Sequence, residues 1–162
     1  MDDRKKEDTL HTLSIKEAKI KIYAYCAYQE RTQKEARNKL YEYGSKTDEI
    51  EEIISDLISE NFINEERFSI TYTGGKFRIK KWGKIKIKQG LKLKGVSDYC
   101  LKVALASIDQ EEYLHTLQHL LEKKEALEKE KNTFKKNEKL ARYAISRGYE
   151  PEIVWSILKD KS

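Results

Sequence analysis

Apolar residues in this chain recur at helical spacing around three glycines: Gly44 in KLYEYGSKTDEIEEII, Gly95 in GLKLKGVSDYCLKVAL and Gly148 in ARYAISRGYEPEIVWSIL. These lie 51 and 53 residues apart. Four and eight residues before each glycine stand Leu40 with Ala36, Leu91 with Ile87, and Ala144 with Leu140. After each comes a face spaced i, i+3, i+4: Ile50, Ile53, Ile54; Leu101, Ala104, Leu105; and Val154, Ile157, Leu158. Each glycine therefore reads as the residue that ends one helix, with Thr47, Ser97 and Glu150 to Pro151 opening the next. One segment resists this reading. WGKIKIKQGLKLKG alternates polar and apolar residues like a half-buried strand. The repeat register overrules the alternation and predicts a helix with Ile87 and Leu91 inward and Lys81, Lys88 and Lys92 on a separate stripe, although Gly83 and Gly90 each cost about 1 kcal/mol inside a helix.

A longer helix precedes each pair: Ser14 to Gln29, Glu65 to about Lys80, and Asp109 to about Lys131. The expectation is an all-α fold, an elongated array of three tandem three-helix repeats over residues 14–61, 64–107 and 109–160, behind a flexible tail at 1–13. Units of this size bury little alone, so stacking completes the core. Tyr23, Phe68, Tyr72 and Tyr143 fall at core spacing. Trp82, at the start of the basic segment, reads as packing between units or, alternatively, as a ring that stacks on a partner.

The net charge of +5 is unevenly spread. No acidic residue occurs from Phe68 to Ser97, where Lys76, Arg78, Lys80, Lys81, Lys84, Lys86, Lys88, Lys92 and Lys94 contribute +9, against −4 before this tract and 0 after it. A single-sign run of this length reads as a footprint for a polyanion or an acidic protein groove. Other candidate chemistry is weak. His115 and His119 are spaced i, i+4, but HTLQH lacks the glutamate of a zinc-protease helix and has no third ligand near it. TGGKF at 73–77 is only a fragment of a phosphate loop. Cys26 and Cys100 have no CxxC partner and read as buried, reduced thiols. No catalytic residue, metal site or cofactor is expected. No apolar run spans a membrane, the N-terminus lacks a signal-peptide stretch, and a cytoplasmic protein without membrane contact is the expectation.

FINEERFSITY at 62–72, with Glu65, Glu66, Arg67 and Phe68 opening a helix, resembles the segment that marks the bacterial RecX regulators. The likeness continues through Gly83, Ile87, Leu91 and Gly95 and through SRGYEPEIVWSIL, and it covers nearly the whole chain. WGKIKI and the linker IDQEEYLHTL look most like the Bacteroidetes versions. Gly74, Gly75 and Lys84 depart from the family pattern. The resemblance implies three three-helix repeats and a regulator, monomeric and without chemistry of its own, that lies on the RecA filament on DNA and lowers its ATPase and strand-exchange activity. It implies that Glu65, Glu66, Arg67, Phe68 and the three glycines are structural. Lys76, Arg78, Lys80, Lys81, Lys84, Lys88 and Lys92 are the candidate contacts to RecA or, weakly and electrostatically, to single- or double-stranded DNA. A free-standing helical DNA-binding protein acting through the basic middle repeat is the alternative.

Overall fold

A computed structural model describes residues 12–161, and the tail expected at 1–13 lies outside the described residues except for its last two. Nine helices and no strand occur among the described residues: α1 (Ile15–Tyr28), α2 (Gln33–Glu42), α3 (Thr47–Ser59), α4 (Glu65–Arg78), α5 (Lys84–Leu93), α6 (Asp98–Ala106), α7 (Gln110–Leu127), α8 (Thr133–Ser146) and α9 (Pro151–Lys161). They divide into two compact units, one ending at Phe68 and one beginning at Ser69.

Short polar side chains set most helix starts. Ser14, Thr32, Asn64, Ser97, Asp109 and Asn132 each accept a hydrogen bond from the backbone N–H three residues on, which satisfies a donor that has no partner inside the helix. The three glycines end helices in one way. Gly44, Gly95 and Gly148 have φ of +83°, +77° and +100°. The N–H just beyond each returns to the carbonyl four residues before it: Ser45 to Leu40, Val96 to Leu91, Tyr149 to Ala144. This bond closes the turn only when the intervening residue is left-handed, where a side chain is strained.

In the first unit α1 packs on α2 and α3, and α2 on α3. Its core joins Ala18, Ile22 and Cys26 to Ala36, Leu40, Ile50, Ile53, Ile54, Leu57 and Ile63. Burial pushes the Cys26 thiol up to about 11. Phe68 is buried, while Tyr23 is half-buried edge-on to Phe62, with centroids 4.6 Å apart. Burial, then a hydrogen bond to Glu60, raises the Tyr23 hydroxyl to about 12. Arg67 donates to the Glu30 carboxylate and to the Asn61 carbonyl, tying the start of α4 to the rest of this unit.

The second unit is centred on three buried aromatic rings packed at a tilt. Phe77 on α4, Tyr113 on α7 and Tyr149 before α9 are all nearly inaccessible, with successive centroids 5.7 and 5.2 Å apart. The alternating segment is a helix. Ile87 and Leu91, spaced i, i+4, are both fully buried, whereas Ile85, which a strand would bury beside Ile87, is 39% exposed.

Two helix boundaries differ from the sequence expectation. α5 begins at Lys84, so Lys81 is not part of its stripe: Lys81 is left-handed (φ +59°) in the turn after α4. Gly83 is the residue before α5 rather than an interior glycine. α7 ends at Leu127, where the backbone of Glu128 turns extended, short of Lys131. Tyr72 and Tyr143 are half-buried, and α4 fills its inward face with Ser69, Thr73 and Phe77 instead.

Candidate interaction surface

The basic tract folds into α4, the turn 79–83 and α5, and the structure sorts its side chains by what they touch. Lys76 is half-buried, with its ammonium 5.4 Å from the Tyr72 centroid and 4.8 Å from that of Trp82. Lys86 reaches the same indole at 4.7 Å. Trp82 is thus half-buried with two ammonium groups close to its ring, whose negative face attracts cations. Lys84 is committed inward. Its N–H donates to the Tyr113 hydroxyl at 2.9 Å, and its ammonium lies 4.8 Å from that ring and 3.4 Å from Gln110 Oε1. Arg78 pairs with Glu112 at 3.8 Å.

The turn 79–83 is held by backbone contacts. The Arg147 guanidinium donates to the Lys80 carbonyl, and the Tyr149 hydroxyl donates to the Lys81 carbonyl at 2.9 Å. Gly83 N–H donates to Arg147 O at 2.9 Å, and Ile85 N–H to Gly148 O at 3.0 Å. Together with the Tyr113 hydroxyl, these acceptors use the donors at the start of α5 that have no partner inside the helix, which has no acidic residue in its first turn. Tyr113 in turn donates to Glu150. Burial, then the neighbouring carboxylate, pushes the Tyr113 hydroxyl well above its ordinary value, and burial does the same at Tyr149. The backbones of Gly83 and Gly148 touch: a Cβ at Gly83 would overlap Gly148 C and O, and one at Gly148 would overlap Lys86.

Of the seven candidate residues, Lys76 and Lys84 are therefore engaged by aromatic rings and Arg78 by a carboxylate. Lys80 and Lys81 are exposed on the turn, and Lys88 and Lys92 are exposed on α5. The polar junction of Tyr113, Arg147, Tyr149 and Glu150 was not legible in the sequence beyond the GYEP segment, which contains Tyr149 and Glu150. Lys81 also lines a hollow of about 630 Å³ on α7 with Asp109, Glu112, His115 and His119. Both histidines are exposed. Among the described residues no group of three or more His, Cys, Asp or Glu side chains is placed to hold a metal ion, and no helix is long and apolar enough to cross a membrane. Gly74 and Gly75 lie within α4, so TGGKF forms no loop.

This arrangement defines a class: a helical-repeat protein presenting basic side chains on its surface. Models of the second and third three-helix domains of RecX match residues 64–105 and 110–158. The regulatory protein RecX of Clostridium perfringens (strain SM101) is 37% identical over 131 residues, covering 80% of this chain and 61% of the relative. That of Clostridium acetobutylicum is 31% identical over 147 residues, covering 88% and 68%. The crystal structure of RecX from Lactobacillus salivarius superimposes with a TM-score of 0.83 at 25% identity, over 90% of this chain and 95% of that one. The chain belongs to the RecX family. It spans about three-fifths of the length of the Clostridium perfringens relative.

Proposed function

We propose that this protein binds the RecA recombinase filament on DNA and inhibits its ATPase and strand-exchange activity, as a monomer and without chemistry of its own, through three-helix units at 14–61, 64–107 and 109–160. The observation that carries the reading is the outer face of α5. Lys88 and Lys92 are exposed there, and neither has a carboxylate partner among the described residues, inside a tract with no acidic residue from Phe68 to Ser97. Family membership supports it, since the relatives carry the name of a regulatory protein. An unneutralised field of one sign steers a partner of the opposite sign and loses strength with salt.

The test is a RecA ATPase assay on single-stranded DNA with the parent protein and with the Lys81→Glu, Lys88→Glu, Lys92→Glu triple variant. The parent is expected to lower the rate, and the folded variant to require at least about tenfold more protein for the same inhibition, a loss of about 1.4 kcal/mol. No inhibition by the parent overturns the reading. Equal potency of the folded variant moves the functional face away from α5.

A further inference from the structure

The register about the three glycines also reveals a difference in charge. Seven residues before and seven after each glycine stand Arg37 and Glu51, Lys88 and Lys102, and Ala141 and Trp155. In the first pair Arg37 Nε and Nη2 donate to the two carboxylate oxygens of Glu51 at 2.8 and 3.0 Å, so these positions face each other across α2 and α3. That hydrogen bond holds the Glu51 carboxyl below its ordinary value. In the third pair Ala141 and Trp155 line one hollow of about 450 Å³, together with Ile145, three residues before its glycine. α5 packs on α6 as α2 packs on α3, closed by the same glycine turn. The register therefore places Lys102 opposite Lys88, with Lys92 at the position of Ile145. Where the first pair closes an ion pair, the second sets like charges together. Lys88, Lys92 and Lys102 are all exposed, and none has a carboxylate partner among the described residues.

Like charges at facing positions repel, so this arrangement forgoes the modest gain of the Arg37–Glu51 pair. We propose that Lys88, Lys92 and Lys102 form a phosphate-binding cluster that takes the sugar–phosphate backbone of a nucleic acid strand, with Lys102 its member on α6. One feature favours phosphates over protein carboxylates. The segment around Lys88 and Lys92 is of a single sign, which matches a uniformly anionic polymer better than a protein surface of mixed sign. The inference rests on the proposed function in taking α5 as the contact face.

The experiment compares Lys102→Glu with Lys34→Glu, an exposed lysine on α2 that changes the net charge equally. Binding to a fluorescent oligo-dT is read between 50 and 200 mM salt, alongside thermal melting, with Lys102→Gln as a milder variant. Lys102→Glu recreates the facing opposite charges, so its melting temperature should equal or exceed the parent's. Its affinity at the lowest salt should fall at least about fivefold, with a salt slope shallower by about 0.7 for each phosphate released. Lys102→Gln should lie between, and Lys34→Glu should stay within about twofold of the parent. Binding by Lys102→Glu that matches Lys34→Glu overturns the cluster. Unchanged oligonucleotide binding with loss of RecA inhibition overturns the phosphate assignment in favour of a protein surface. A parent that binds oligo-dT but fails to inhibit RecA removes the regulatory reading and leaves the cluster standing.

Discussion

Replacing Gly83 with alanine is the sharpest test of how the second unit is built. Gly83 has φ −78° and ψ 167°, an extended conformation open to any residue, so backbone strain gives no reason for glycine there. Space does. An added Cβ would lie well inside the 3.0 Å that real Cβ contacts essentially never breach, against Gly148 C and O and Tyr149 N. None of these is the end of a flexible side chain. Relief requires the two turns to separate by about an ångström, which stretches the bonds from Gly83 to Arg147 and from Ile85 to Gly148 beyond useful length. At about 1 kcal/mol net for each bond, with the strain of overpacking added, the cost is about 3 kcal/mol. That corresponds to roughly 6–12 °C in melting temperature for a protein of this size. Circular dichroism at 222 nm reads it, and two other glycines calibrate it. Gly75, inside α4 with nothing within 4 Å of its Cβ position, should gain up to about 1 kcal/mol as alanine. Gly95, with open space but φ +77°, should lose about 1–2 kcal/mol. A Gly83→Ala protein that melts within two degrees of the parent would refute the backbone contact.

Phe68 is 5% exposed, so Phe68→Ala should destabilise by about 3–5 kcal/mol in urea titration; a loss below 1 kcal/mol would place the ring at the surface. Stability should also fall on the alkaline side. The Cys26 thiol is raised from 9.0 to about 11 and the Tyr23 hydroxyl from 10.0 to about 12, both chiefly by burial. The folded state thus holds these protons more tightly than the unfolded chain, and that contribution is complete below pH 9 and lost as pH rises through 11 to 12. Melting temperature against pH should bend downward above pH 9, less steeply in Cys26→Ala, and identical profiles for parent and variant would dismiss the thiol's part.

Local pattern determined the helices. Apolar positions at i and i+4 about Gly44, Gly95 and Gly148 settled even α5, because a helix buries Ile87 with Leu91 while a strand needs Ile85 inside, and the left-handed turn that closes each pair depends on neighbours alone. The capping side chains Ser14 and Ser97 and the EERF motif that carries the family likeness are legible for the same reason. The sorting of the lysines depended on tertiary structure. Lys76 and Lys86 lie against Trp82, and Lys84 meets Tyr113 from another helix, so fewer of the nine basic side chains are free to reach a partner than the count of +9 implies. Lys81 left its expected stripe because its carbonyl serves Tyr149, 68 residues away. Gly83 looked like a weak point in a helix, yet it is where two backbones meet. A helix reports its periodicity in any short window of sequence, whereas a hydrogen bond or close approach between residues 29 to 68 positions apart exists only once packing has brought the segments together.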